Sequence, residues 1–533
     1  MYCTIMNDLK NFNNLFASLA HSAYEGKEYS FSEALMGDDG NIVRMDYRFP
    51  FSNQKGKIKG GKFLANNGIV YLHRAITEPY DNVFESETEQ NINYFENDTE
   101  GFKSYYLTDT EKLNLNTKNV YLSVKGSDEP SFISYNDWAL NNLPFTLWGA
   151  YIPQGQLVNA AVKKVLSEMR ESSPNAKLNL TGHSLGTIAT IQGVANLTVE
   201  ELEQIGEIVL FDGPDALKSI QQMHMSEEKL KILNEKVTYY VNPFDVVSML
   251  NRNTDTQIGK VKVIIPFNFV TTFDKPSSHD FGEYRIHSDG KILEATEDFF
   301  PDYLTAGKKL SKLINKYVNI IKAQMGVTPS VLLEIGKFLI KEFLSSLAIP
   351  TDIKYLYSEF MKEYKAIIDE TKQAVIAWGN KNIPILQAAI QGATGAKKIE
   401  LRSRLLLCIS HLSRIESDEK VKVMKNELEN YRQQVKEVVE KANHEAYHAG
   451  VNLGRNEVSQ LVSQFQFSTV WDEGMFSYNV DELNRYIDKI YRFSDKLFTA
   501  VETLEDVDRK QSEIFKVVSN SSFSLNSYKI ERG

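Results

Sequence analysis

The chain has 533 residues, too many for one ordinary core, so two or more domains are expected. A formal charge of -10, with no Walker loop, zinc-finger spacing or basic stripe, argues against a phosphate-binding surface, and nucleic acid is not an expected partner. Only Cys3 and Cys408 are present, so no disulfide framework is in play, and Cys408 within "RLLLCISHL" reads as a buried thiol.

In chain order, "MYCTIMNDLKNFNNLF" lacks a basic stretch followed by a continuous apolar run, and no cleavable signal peptide is expected. The first 110 residues, with "GKIKGGK" and "ESETEQNINYFENDTEG", leave three readings open: a β-rich cover, a headgroup-binding surface or an insertion. Up to about residue 300, β-branched and aromatic runs such as "NGIVYLHRA", "NVYLSVKG", "KLNLTG", "EIVLFDG", "KVTYYVNP" and "VKVIIPFNFV" alternate with helical patterns. Strands spaced by helices predict an α/β domain with a mostly parallel sheet flanked by helices, over 1–300.

After Pro301 the texture becomes helical, and 301–533 is expected to be an all-α bundle. Met424, Leu428, Tyr431, Val435 and Val438 follow a near-heptad rhythm, as do Val480, Leu483, Ile487, Ile490, Leu497, Val501 and Leu504. Turns are expected at "GVTPS", "AIPTD", "NIP", "QGATGAK" and "NLGRNE". In "VLLEIGKFLIKEFLSSLAI", Glu334, Lys337, Lys341 and Glu342 recur at intervals that suit an amphipathic helix rather than a membrane span.

The chemistry concentrates in "LTGHSLGTI". Gly182, His183, Ser184, Leu185 and Gly186 spell G-x-S-x-G between the strand-like "AKLNL" and the small-residue helix "TIATIQGVANL". That context is a nucleophile elbow, in which glycines let helix and strand approach and the serine is exposed on a strained turn. A serine hydroxyl needs a base to take its proton and a carboxylate to orient that base. Asp245 follows the strand "KVTYYV", and His279 lies in a loop after "VKVIIPFNFV", so these two are assigned as acid and base. Asp212 and Asp215 in "FDGPDAL" remain as rival acids and His287 as a rival base. For the oxyanion, the backbone N–H of Leu185 is one expected donor, and the loop "YLSVKGSDEP" offers Gly126 and Ser127 for the second.

Six segments in this order, "VYLSVKGSD", "NDWALNN", "LNLTGHSLGT", "IVLFDGPDAL", "YVNPFDVVSML" and "SSHDFGEYRIHSDGKI", resemble the class 3 lipase group of α/β hydrolases. The resemblance implies Ser184 as nucleophile, Asp245 as acid, His279 as base, Ser127 with Leu185 as oxyanion hole, and acyl esters of lipids as substrate. Two departures stand out: Lys125 replaces the usual arginine, and "QQMHMSEEKLKILNEK" inserts a charged helix between Ser184 and Asp245. The aromatic segment 138–158, with Trp138, Trp148 and Tyr151, is either a lid or acyl-chain wall, or core beneath the sheet.

In the helical half, "HEAYH" places His444, Glu445 and His448 in a zinc-peptidase spacing. Only Glu457 offers itself as a third ligand, and no metal or other cofactor is expected. The full layout resembles the type VII secreted lipase effectors of staphylococci and related Gram-positive bacteria, with a lipase followed by an LXG-like helical domain. Tyr491 and Asp495 match the Y-x-x-x-D/E spacing of type VII export signals. The resemblance implies secretion with small helical partners on the C-terminal domain, an immunity protein in the producer, and membrane lipid of competing bacteria as target.

Overall fold

The structure is a computed structural model that describes residues 8–9, 12–38, 40–47, 68–74, 77–79, 91–97, 101–126, 152–252, 257–287, 290–325 and 351–525. It divides into two compact units, 1–373 and 374–533.

The first unit opens with α1 (Leu15–Ser22) and α2 (Phe31–Gly37), then strands β1 (Ile42–Asp46), β2 (Ile69–His73), β3 (Thr77–Pro79), β4 (Asn91–Asn93), β5 (Glu96–Asn97), β6 (Phe102–Thr108) and β7 (Asn119–Val124). There follow α3 (Pro153–Ser172), β8 (Lys177–His183), α4 (Leu185–Ala195), α5 (Val199–Gln204), β9 (Ile205–Phe211), α6 (Leu217–Gln222) and α7 (Glu227–Lys236). The unit continues through β10 (Val237–Val241), α8 (Val246–Met249), β11 (Lys260–Val263), α9 (Asp302–Met325) and the first part of α10 (Thr351–Gly392).

The central sheet runs β1-β2-β6-β7-β8-β9-β10-β11. The pairs from β7 to β11 are parallel, with Val124 opposite Gly182 and His183 opposite Phe211, while β1, β2, β6 and β7 pair antiparallel. A mostly parallel mixed sheet with flanking helices is therefore present. Strands β1, β2 and β6 come from the first 110 residues, so part of that region extends the sheet itself.

Alternation along the strands decides what each face meets. Tyr121, Ser123 and Thr181 point toward α1: Phe16 packs edge-on against Tyr121, Ser123 Oγ donates to Leu19 O (2.9 Å) and Thr181 Oγ1 to Phe16 O (3.3 Å). All eight residues of α1 are buried, and Asn14 caps it by accepting from Ala17 N. On the other face lie Val120, Leu122, Leu178 and Leu180, fully buried, where α4 packs. Every residue of α4 is buried: apart from Gln192, whose amide is hydrogen-bonded to Ile152 N and Ser219 Oγ, its side chains are apolar or small.

One strand-level expectation is corrected. The run "VKVIIPFNFV" forms a strand only over Lys260–Val263, with Ile264 bridging Glu294. Pro266 has no N–H for the ladder, so the chain leaves the sheet before it. The inserted charged segment is helical, as expected, at α7, where Ser226 accepts from Lys229 N as N-cap.

The first unit reaches well past Pro301. Tyr303 of α9 packs on Phe244, Ser311 Oγ donates to Arg252 O, and Tyr364 of α10 hydrogen-bonds Phe244 O. The boundary read from texture near residue 300 thus precedes the boundary of the compact unit, because these helices are anchored to the loop after β10.

The second unit holds the rest of α10, α11 (Gly395–Ala449), α12 (Arg455–Val462), α13 (Phe467–Val470) and α14 (Glu473–Leu525). The turns at "QGATGAK" and "NLGRNE" fall between helices, but "NIP" does not break one: α10 runs through Pro384. Gly379 of α10 lies so close to Leu412 of α11 that a Cβ there would collide with it, so α10 packs on α11 just before the proline. The α11 and α14 helices pair antiparallel, as Ser410 to Ser494, Arg414 to Asp495 and Lys425 to Asn484 show. The α11 seam uses Val421 and Val439, whereas Met424, Tyr431 and Val438 of the expected stripe are 51%, 59% and 67% exposed. The segments 326–350 and 526–533, with the amphipathic run and the turns at "GVTPS" and "AIPTD", lie wholly or in part outside the described residues.

Candidate active site

Ser184 stands between the end of β8 and the first turn of α4, at φ 56° and ψ −128°. A left-handed φ on a residue with a Cβ is strained, and the surroundings must hold it. Here Ser184 N donates to Phe211 O at the end of β9 (3.0 Å), and Thr187 N and Oγ1 both donate to Ser184 O. Ser184 makes no side-chain cap bond, so its hydroxyl is not committed to its own helix. Leu185, the first residue of α4, has an N–H with no intrahelical acceptor, aimed at the space ahead of the helix.

The end of β7 comes close to the elbow. A Cβ built on Gly126 would lie 3.1 Å from Ser184 Cβ and would collide with the His183 carbonyl and the Tyr24 hydroxyl. Only glycine lets the end of β7 approach the elbow in this way. Ser127, the residue assigned to the oxyanion hole beside Leu185, and the segment 138–151 lie outside the described residues; 152–158 open α3.

Asp245 caps α8, accepting from Val247 N (3.1 Å) and Ser248 N (2.8 Å), and it is fully buried. Its Oδ2 also meets His279 Nδ1 at 2.9 Å, and its Oδ1 accepts from Thr272 Oγ1 at 3.1 Å. Capping and pairing with histidine are thus done by the same carboxylate. Burial raises the Asp245 pKa, but the charge and hydrogen bond of His279 outweigh it and leave the carboxyl below its ordinary value. Burial alone would lower His279; the Asp245 charge dominates and lifts it to about 9. The His279 side chain keeps 17% exposure. No hydrogen bond joins it to the Ser184 hydroxyl among the described residues.

The loop that carries His279 is fixed by its own serines and by the elbow. Ser277 Oγ donates to Thr272 O, Ser278 Oγ to Phe244 O, and Ser277 Oγ accepts from His279 N. His183 Nε2 lies 3.1 Å from His279 O; a carbonyl only accepts, so Nε2 carries the proton and Nδ1 accepts from Tyr24 OH at 2.9 Å. Burial holds the His183 pKa well below its ordinary value, so the ring stays neutral. Behind Asp245, Tyr364 from α10 meets Thr272 N (3.1 Å) and the Phe244 carbonyl.

Two of the three rivals fall elsewhere, and the third lies beside the pair. Asp215 accepts from Leu217 N, and His287 closes a turn through His287 N to Lys291 O. Asp212 is buried beside the pair, where Ser248 Oγ reaches both Asp212 Oδ1 (2.9 Å) and Asp245 Oδ2 (2.5 Å). Side-chain atoms of His183, Asp212 and His279 lie within 4.8 Å of one another. Both ring nitrogens of His183 are already engaged, so it offers a cation no lone pair without losing a bond. In the second unit, the His444 and His448 rings are 4.5 Å apart on an exposed face, Glu445 pairs with Lys441, and Glu457 is used in capping α12. Cys408 is buried, and burial pushes its thiol up to about 12.

Tyr24, His183, Ser248, Thr272 and Tyr364 were not among the sequence candidates. His183 sits in the G-x-S-x-G motif and Ser248 one turn from Asp245, so both had a local signal; Tyr24 and Tyr364 had none. No protein-family model matches the chain, and neither does any curated protein sequence.

Proposed function

We propose that the first unit is an α/β hydrolase and the chain a serine hydrolase of lipid acyl esters, a lipase or phospholipase. The observation that carries this reading is the 2.9 Å pair of Asp245 and His279 next to a serine held at φ 56°. In the reaction, Ser184 Oγ attacks the ester carbonyl while His279 Nε2 takes its proton, and Asp245 holds the imidazole by Nδ1 and balances its charge. The developing oxyanion is met by the N–H of Leu185, with Ser127 assigned as second donor. The protonated His279 then gives its proton to the leaving alcohol, and water releases the fatty acid by the same steps in reverse roles.

The test is fatty-acid release from defined phospholipid and triglyceride vesicles, comparing the full chain with Ser184→Ala at equal folded concentration. Loss of release by at least about 10⁴-fold in the variant is expected, and equal release from both chains would end the proposal. The vesicle that responds names the substrate class; we favour phospholipid, as the resembled effectors act on membranes.

We further propose that the chain is an antibacterial effector exported by a type VII system, with small helical secretion partners on the second unit and an immunity protein in the producer. Among the described residues no helix is long and apolar enough to cross a membrane. The exposed stripe of Met424, Tyr431 and Val438 supports partner docking on α11, since such a stripe favours being covered. The same stripe supports the second reading, an interaction protein with a catalytically weak hydrolase unit. Wild-type chain that leaves a fluorophosphonate probe unreacted would favour that alternative.

A further inference from the structure

Proton counting around Ser248 leads beyond the three assigned residues. Its hydroxyl has one proton yet lies 2.9 Å from Asp212 Oδ1 and 2.5 Å from Asp245 Oδ2. One O–H satisfies one carboxylate oxygen, so the second short contact requires a proton on a carboxyl group. The two acids are not equivalent hosts. Asp245 is the better solvated anion, receiving Val247 N, Ser248 N, Thr272 Oγ1 and His279 Nδ1. Asp212 Oδ1 receives Asn242 N besides Ser248, while among the described residues its Oδ2 has no well-formed hydrogen bond and faces only the Tyr284 hydroxyl, which it shares with Tyr240 O. A full charge on that oxygen, in a residue with no exposure, would be met by a shared hydroxyl at best, against four donors at Asp245.

We propose that Asp212 is held as the neutral acid with its proton on Oδ1 directed at Ser248, and that it acts as a positioning residue. It orders Ser248 so that the serine's own proton goes to Asp245 Oδ2. This inference rests on the serine-hydrolase reading for its role in catalysis. The groups facing Asp212 are Asp245 and Arg252 from the segment after β10, His279 and Tyr284 from the segment beyond β11, and His183 at the elbow. Burial and then the Asp245 charge raise its pKa to about 7. In the state that matters, with His279 neutral and ready to act as base, the favourable imidazolium is absent and the acid holds its proton more firmly. A neutral Asp212 also leaves His279 facing two carboxylates, Asp245 and Asp280, instead of three, so the imidazole is easier to deprotonate.

Two readouts test this on the full chain. Infrared difference spectra of wild type against Asp212→Asn at neutral pH should show loss of a protonated-carboxyl band; loss of carboxylate bands instead overturns the proposal, whether or not the protein hydrolyses anything. The second readout is the rate of fluorophosphonate labelling across pH, with Ser184→Ala as background. Asp212→Asn and Ser248→Ala should each slow the plateau rate about tenfold, one hydrogen bond's worth, and the double variant no further, because both remove the same contact. The acidic midpoint in Asp212→Asn should stay in place, since no charge was removed. A midpoint that falls by about a unit or more, or slowing that multiplies in the double variant, overturns the assignment. Wild type labelled no faster than Ser184→Ala overturns the hydrolase reading and with it the positioning role, while the infrared band still decides the protonation state.

Discussion

Asp245 and His279 set opposite pH demands on stability and on chemistry. The histidine starts from 6.5 when unfolded and is raised to about 9 in the fold, burial opposing and the Asp245 charge prevailing. A group with a raised folded pKa stabilises fully below its unfolded value and loses that contribution as pH climbs through the folded one. The pair therefore supports the fold below pH 6.5 and fades through about 9. The proposed catalysis needs the neutral imidazole and should rise over the same window. We expect the urea midpoint to fall, and the labelling rate of Ser184 to climb, between these limits. The climb ends earlier if Asp212 is neutral, because part of the upward pull on His279 comes from that carboxylate. A labelling rate flat across the window would show that His279 is not the base. Replacing Asp245 by Asn should cost about 10⁴-fold in labelling rate by leaving Nδ1 without its acceptor.

At the scale of elements, the elbow depends on how closely α4 abuts β7. A Cβ on Gly186 would collide with the carbonyl oxygens of Val124 and Lys125. Backbone cannot yield as a side-chain tip does, so Gly186→Ala should cost about 1–3 kcal/mol, read as a lower urea midpoint with an unchanged slope. A variant as stable as wild type would show that the helix can ride up without loss. This requirement was legible in the sequence, because G-x-S-x-G between a strand run and a small-residue helix is a local pattern. The strands "NVYLSVKG", "EIVLFDG" and "KVTYYVNP" were legible for the same reason, and so was the loop position of Asp245. The bonds from Tyr24 to His183, from Ser248 to Asp212 and from Tyr364 to the loop after β10 were not. Two of these three join residues more than a hundred positions apart, and no spacing rule encodes them. The truncated β11 shows the reverse case: Pro266 carried the correct information, and the apolar run around it outweighed it in the reading.

For the molecule as a whole, the texture change at Pro301 marked where strands stop, while the compact first unit continues to residue 373. Composition reports the kind of element and not its docking partner. Tyr303 and Tyr364 belong to the helical texture yet pack behind Asp245. The second unit has its own polar lock, built on the tyrosine and aspartate of the export-signal spacing. Arg414 of α11, almost buried, lies 3.9 Å over the Tyr491 ring and pairs with Asp495 at 3.0 Å, while Tyr491 OH meets both Asp418 oxygens at 2.8 Å. Tyr491→Ala removes the ring from a partly desolvated guanidinium and the donor from Asp418, and should cost the second unit about 1–3 kcal/mol. Calorimetry should show the transition of that unit shifted, with Ser184 labelling unchanged, because every contact described around Asp245 comes from residues before 374. Tyr491→Phe keeps the ring over Arg414 and loses only the hydroxyl bonds, so it should recover more than half of the loss. If labelling falls with Tyr491→Ala while Tyr491→Phe labels normally, the ring lock of the second unit supports the first, and the two units do not act independently.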